Sequence, residues 1–198
     1  MKLSRRSVRT YTAGLALVVA LGGVPAPVAA SEHALAPAAA AAGITIENFG
    51  QINDRYYRGA QPRGQDFRAL STLGVKLVID LAAEGDAAEE GNAKPAGMRF
   101  VRIPMTTHQV PSPAVIAQFL SLVEDPANQP VYVHCIGGKH RTGVMTAIYR
   151  MTEEAWPGLR AFQEMKQYNF GADFLHPEFK DFVLKFSANS EDRRGAVR

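Results

Sequence analysis

The chain has 198 residues, 46% of them hydrophobic, which is room for one domain of common size. Its formal charge of +3 says little about partners: residues 1–30 hold four basic residues and no acidic one, and the remainder carries 18 basic against 19 acidic side chains. That balance excludes a charge-driven nucleic-acid binder, and a single cysteine, Cys135, excludes internal disulfides.

In chain order, Lys2, Arg5, Arg6 and Arg9 precede an apolar run at residues 13–24, and small residues at 28–30 offer a cleavage position before Ser31. This reads as a signal peptide over residues 1–30, since the apolar run is too short to span a bilayer comfortably. The protein is therefore expected to be exported, periplasmic or secreted, with no stable membrane association after cleavage. Arg5-Arg6 is a weak twin-arginine match, which leaves the export route open. An alanine-rich linker follows over residues 31–43, then a domain over 44–187 and a polar tail over 188–198.

Within the domain, residues 44–49 and 56–58 read as short strands bounded by polar turn residues. Residues 65–73 have the helical apolar spacing of Phe67, Leu70 and Leu73 and stop at Gly74. Strands are predicted over 75–81 and 98–103. A helix over 112–123 presents Val115, Ile116, Phe119, Leu120 and Val123 on one face. The β-branched run 131–134 is a central strand, followed by a helix from Arg141 and two amphipathic helices over 157–168 and 177–186. Phe162, Tyr168, Phe170, Phe174, Phe179, Phe182 and Phe186 read as core packing. Strands alternating with helices predict an α/β domain, a single twisted, partly parallel central sheet flanked by helices on both faces.

The densest chemistry lies between strand and helix, at His134-Cys135-Ile136-Gly137-Gly138-Lys139-His140-Arg141-Thr142-Gly143. Strand, glycine-bearing loop and helix form an anion cradle, because loop amides and a helix N-terminus present unpaired N–H donors. Gly137 and Gly138 allow positive φ angles that turn those amides inward. The same positive field favours the thiolate of Cys135, and Arg141 forks two donors onto phosphoryl oxygens. A thiolate beneath a bound phosphate is a phosphatase nucleophile. His134 is placed to orient the strand end or to donate toward the thiolate, and the Thr142 hydroxyl to hold the sulfur. The competing structural reading is a buried, inert cysteine. The histidines show no zinc spacing, so no metal or other cofactor is expected.

His134-Cys135-x5-Arg141-Thr142-Gly143 resembles the signature of the cysteine-dependent protein tyrosine and dual-specificity phosphatase superfamily, and the resemblance runs from about Tyr56 to Phe182. Arg58-Gly59-Ala60-Gln61-Pro62, the strand at 73–81 and Asp125-Pro126-x-Asn128-Gln129-Pro130 resemble its compact dual-specificity members. Residues 138–143 are also similar to the plant and fungal atypical branch, some of whose members cleave inositol pyrophosphates. The resemblance implies a dual-specificity phosphatase-like fold, with Cys135 as nucleophile, Arg141 as phosphate clamp, and Ile136, Gly137, Gly138, Lys139, His140 and Thr142 around the substrate.

One segment departs from the family pattern. The superfamily usually carries its leaving-group acid, an aspartate, on a loop upstream of the cysteine, and residues 102–111 here contain no carboxylate. Thr107 or its neighbour stands at the expected place. Histidine is a residue type suited to general acid work, which makes His108 the first candidate acid; Glu84 and Asp86 come next, although carboxylates there more often belong to a solvated loop. A third possibility is a leaving group acidic enough to need no help. Gln163, Lys166 and the turn at 171–173 are rim candidates. Phosphoprotein substrates are expected first, inositol polyphosphates or pyrophosphates second, the latter favoured by Lys139 and His140 inside the loop. The competing classes are a phospho-ligand binding module and a sulfur-transfer enzyme. Oligomeric state is not legible.

Overall fold

The central strand, β5 (Val131–Cys135), is buried along its whole length, and its alternating side chains feed two different cores. The computed structural model describes residues 43–186; the expected signal peptide, nearly all of the linker and the C-terminal tail lie outside them. Five strands form one sheet in the order β1-β2-β5-β3-β4, with β1 (Gly50–Asn53), β2 (Tyr56–Ala60), β3 (Leu77–Ala82) and β4 (Arg99–Met105). Only the β1–β2 pair is antiparallel. Among the described residues, the α-helices are α1 (Asp66–Thr72), α2 (Glu89–Ala93), α3 (Pro113–Glu124), α4 (His140–Glu153), α5 (Gly158–Gln167) and α6 (Pro177–Lys185).

Val131, Val133 and Cys135 join the larger core with residues of α3, α4, α5 and α6, whereas Tyr132 joins a smaller core with Phe67 and Leu70 of α1. The same alternation in β3 sends Leu77, Ile79 and Leu81 to the larger core and Val78 to the smaller. Cys135 thus faces the four-helix layer at the carboxyl end of the middle strand, where α/β sheets place ligands. α4 starts five residues later and is buried from Arg141 to Met151, so the connecting loop is short and pinned at both ends.

Local signals explain most element boundaries. Ser112 caps α3 by accepting from the Val115 N–H at 3.3 Å, with Pro113 in the first turn. Gly74, at φ +80°, ends α1. Two expectations are corrected, and one helix lies where none is predicted. Residues 44–49 are not a strand: Asn48 takes φ +53°, which breaks the extended run, and the strand begins at Gly50. The short helix α2 was not foreseen, since its five residues carry no apolar period. Phe174 is not core; it is 79% exposed on the turn before α6, while Phe162, Phe170 and Phe179 are buried.

Candidate active site

The loop from Cys135 to Arg141 is shaped by three contacts that pull successive carbonyls outward. The Ile136 carbonyl accepts from the Gln61 N–H at 3.2 Å, the Gly137 carbonyl from Asn48 Nδ2 at 2.7 Å, and the Gly138 carbonyl from Arg58 Nη2. Across a trans peptide the C=O and the following N–H point opposite ways, so tying these oxygens outside turns the N–H groups of residues 137, 138 and 139 inward. Gly138 sits at φ +63°, and a Cβ there would lie 2.4 Å from the Gly59 carbonyl carbon. Gly137, contrary to expectation, does not have positive φ; only Gly138 makes the left-handed turn.

Arg58 is the cation beneath this loop. It is fully buried, lies 3.9 Å over the Tyr168 ring, and is held in β2 beside β5. Burial lowers its pKa from the usual 12.5, while Tyr168, Tyr56, Glu164 and Cys135 act in the opposite sense. Nothing in the sequence marked Arg58 as more than part of a family-like stretch.

Arg141, 3% exposed, sits at the start of α4. Its Nη1 and Nη2 are taken end-on by Glu84 Oε2 and Oε1 at 2.7 and 2.6 Å, and Nη1 also donates to the Met105 carbonyl at 3.0 Å. Its buried Nε has no hydrogen-bond partner among the described residues, which leaves the Nε edge of the guanidinium for an incoming oxyanion. Burial works to lower the Arg141 pKa, but the Glu84 hydrogen bonds and the charges of Cys135 and Glu84 outweigh it and raise it. The Arg141 hydrogen bonds hold the Glu84 carboxyl below its usual value of 4.5. A depressed carboxylate keeps its pair above that value and loses it only as pH falls through the lowered one. Glu84, expected as a solvated loop residue or an acid, is 56% exposed and is also the partner that fixes Arg141.

His134 and Cys135 point to opposite faces of β5. His134 does not donate to the sulfur; its Nε2 lies 2.7 Å from Glu89 Oε1, its Nδ1 3.4 Å from the Cys135 carbonyl, and its ring stacks on Tyr132. Asp80, also fully buried, accepts from Arg102 Nε and from the Ala82 N–H at 2.7 and 2.8 Å. Gly85 lets the chain pass this carboxylate, because a Cβ there would sit 2.1 Å from Asp80 Oδ2. The Asp80–Glu89–His134–Arg102 cluster fixes the strand end from behind. Asp86 caps the turn before α2 through the Ala88 N–H at 2.9 Å.

Cys135, Ile136, Gly137, Lys139, His140 and Arg141 line one open cavity of about 520 Å³ together with Glu47, Glu84 and Thr107. Thr142 is buried in α4, and its hydroxyl has no hydrogen-bond partner among the described residues. His140 donates to or accepts from nothing in the cavity: its Nε2 is 2.9 Å from the Phe170 carbonyl. Burial is the main cause lowering its pKa from 6.5, which disfavours its charged form. His108, exposed in the β4–α3 loop, turns its ring toward His176 and Glu178, while its neighbour Thr107 is the one that lines the cavity. Lys166 is tied to Asp173 at 2.6 Å and to the Gly171 carbonyl, away from the cavity.

A family model described as a DSP-PTPase phosphatase fused to NAD+ kinase matches residues 43–178. The dual specificity protein phosphatase TpbA of Pseudomonas aeruginosa (strain UCBPP-PA14) is 32% identical over 153 residues, covering 76% of this chain and 67% of its own. The inositol diphosphatase SIW14 of Saccharomyces cerevisiae is 30% identical over 133 residues, and the match spans about half (47%) of that protein. The crystal structure of the SIW14 core catalytic domain in complex with citrate has a TM-score of 0.66 at 26% identity, covering 77% of this chain and 93% of that one. The crystal structure of P. aeruginosa TpbA has a TM-score of 0.64 at 25% identity, covering 77% and 92%.

Proposed function

This chain belongs to the DSP-PTPase family of cysteine-dependent phosphatases, and we propose that it removes phosphate from phosphotyrosine, phosphoserine and phosphothreonine side chains of proteins through a phosphocysteine intermediate. The observation that carries this reading is the placement of Cys135 and Arg141 at the two ends of a loop whose carbonyls are tied outward, all lining one cavity. The inward amides and the Nε edge of Arg141 hold the equatorial oxygens of a phosphoryl group. The Cys135 thiolate attacks phosphorus in line, a P–S bond forms, the ester P–O bond breaks, and the leaving oxygen takes a proton. Water then attacks phosphorus, the P–S bond breaks, and inorganic phosphate departs.

The substrate class follows from the cavity's charge. Besides Arg141 it offers Lys139, but it also carries Glu47 and Glu84, and Ile136 is 38% exposed at its edge. His140 spends its Nε2 on the Phe170 carbonyl and burial disfavours its charged form, which leaves Lys139 as the main extra cation of the loop. A polyphosphorylated ligand gains little from such a lining, whereas one phosphate on an aromatic or aliphatic side chain fits it. Inositol pyrophosphate cleavage is the second reading, favoured by the similarity to an inositol diphosphatase. A panel of phosphopeptides and inositol polyphosphates decides between them: the proposal expects higher kcat/KM on phosphopeptides, and a preference for pyrophosphates overturns it. Binding to either class without turnover makes the protein a phospho-ligand module.

Glu84 has a positioning role in this account. Glu84→Gln keeps the size and removes the charge that braces Arg141. We expect kcat for p-nitrophenyl phosphate to fall roughly tenfold with the fold intact. An unchanged kcat would mean that the Met105 carbonyl alone suffices to hold Arg141.

His108 is the proposed leaving-group acid, supported by its place next to Thr107; its ring must turn from Glu178 to reach the substrate. His108→Ala should slow alkyl and simple aryl phosphates on the order of a hundredfold, and p-nitrophenyl phosphate or a pyrophosphate much less, because those groups leave unaided. Equal dependence of rate on leaving-group acidity in both proteins removes His108 from the mechanism.

Export is part of the same proposal, supported by the basic stretch and apolar run within residues 1–30. N-terminal sequencing of exported protein should begin at Ser31; a mature chain that retains residues 15–21 would be anchored instead.

A further inference from the structure

The histidines of this chain stand at positions 33, 108, 134, 140 and 176, with no ligand spacing among them. The fold nonetheless gathers three of them beside the phosphate cavity. His140 opens α4, His176 precedes α6, and His108 comes from the β4–α3 loop. The His176 ring centroid is 3.9 Å from that of His140 and 5.3 Å from that of His108. One carboxylate faces two of these rings: Glu178 Oε1 is 3.6 Å from His108 Nδ1 and 3.4 Å from His176 Nδ1.

We propose that His108, His176 and Glu178 form a binding site for a divalent cation of the zinc class at the rim of the phosphatase cavity. One ligand atom from each of the three residues lies within 4.8 Å of the other two. Two imidazoles and a carboxylate, with a fourth position open to water, are a known three-ligand set for zinc. Ligand bonds of about 2.0–2.1 Å at tetrahedral angles put ligand atoms about 3.3–3.4 Å apart. The contacts at 3.4 and 3.6 Å are near that edge length, yet long for good hydrogen bonds. The His176–Glu178 contact is a long hydrogen bond, and with His108 on the same carboxylate oxygen the donor atoms already converge on one point. Imidazole nitrogens select against Mg²⁺ and Ca²⁺, which prefer all-oxygen shells.

The surroundings suit such a site. His176 is packed between His140 and Phe179, so its ring plane is set before any ion arrives. His140 itself stays outside the ligand set, with Nε2 at 2.9 Å from the Phe170 carbonyl. Side-chain exposure of 75% at His108 and 28% at Glu178 leaves the open side to solvent, so an ion can enter and keep a water. The other histidine–carboxylate group, Asp80, Glu89 and His134, is sealed and already has Arg102 as its cation. A bound ion would tie the β4–α3 loop to the start of α6 and hold the His108 ring away from the cavity.

The test is a titration of Zn²⁺ by calorimetry, and of Co²⁺ by visible absorption, into the untagged full chain carrying Cys135→Ser, so that no thiolate competes for metal. One equivalent should bind, with the intense visible bands of a tetrahedral Co²⁺ centre. Glu178→Gln and His108→Ala, both changes at solvent-accessible side chains, should each weaken binding about tenfold or more while circular dichroism stays unchanged. The proposal is overturned by three results: no stoichiometric binding to the Cys135→Ser chain, affinity unchanged in both variants, or metal binding that requires Cys135. Because binding rather than turnover is read, failure here leaves the phosphatase reading untouched, and the reverse holds too.

Discussion

Cys135→Ser should lose turnover by on the order of 10⁴-fold or more while still binding phosphate esters. The serine hydroxyl is not ionised at neutral pH, and the bases nearby are engaged elsewhere: Glu84 is taken up by Arg141, His140 Nε2 lies at the Phe170 carbonyl, and His134 is on the far face of β5, paired with Glu89. Binding survives because it rests on other groups: the amides of residues 137–139, turned inward by Gln61, Asn48 and Arg58, and the guanidinium of Arg141 braced by Glu84. Calorimetry of a phosphopeptide with the variant checks the second half. Loss of binding together with turnover would mean that the sulfur anchors the ligand rather than attacks it. A variant with a tenth of the wild-type rate would remove Cys135 as nucleophile.

Arg141→Lys should reduce kcat by a hundredfold to a thousandfold, although the charge is kept. The guanidinium makes three hydrogen bonds to Glu84 and Met105 with two of its nitrogens and keeps Nε toward the substrate. A single ammonium cannot hold Glu84 and a phosphoryl oxygen in one plane, so it satisfies one of them and leaves the other. The loss should appear in kcat more than in KM, because the fork matches the equatorial oxygens best when the phosphoryl group is flattened between sulfur and leaving oxygen. Near-normal kcat in this variant would count against that geometry.

Most elements of the fold and the two ends of the cradle were legible because each rests on a local pattern. The β-branched run before Cys135, the apolar period of residues 112–123 and the stop at Gly74 all depend on neighbours within a few positions. What was not legible depends on distant parts of the chain. Glu84 pairs with a residue 57 positions away, Asn48 with a carbonyl 89 away, and Arg58 with one 80 away. A loop carboxylate and a strand arginine look solvated in sequence, since only the folded register of β2 against β5 buries Arg58 beneath the loop. Asn48 was hidden within an apparent strand, and its positive φ both ends that run and aims its amide at Gly137. Phe174 misled for the opposite reason: aromatic density suggested core, but the turn before α6 holds it in solvent. His140 read as a loop cation, and burial, together with the nearby positive charges, lowers its pKa although the Phe170 carbonyl acts in the opposite sense.

Capture of the covalent intermediate tests the central claim most directly. Wild-type protein mixed with a phosphotyrosine peptide and quenched in acid within one turnover should carry one phosphoryl group, located by peptide mass spectrometry on Cys135. Multiple turnovers with no phosphoryl group on Cys135, or with the group on another side chain, would contradict it.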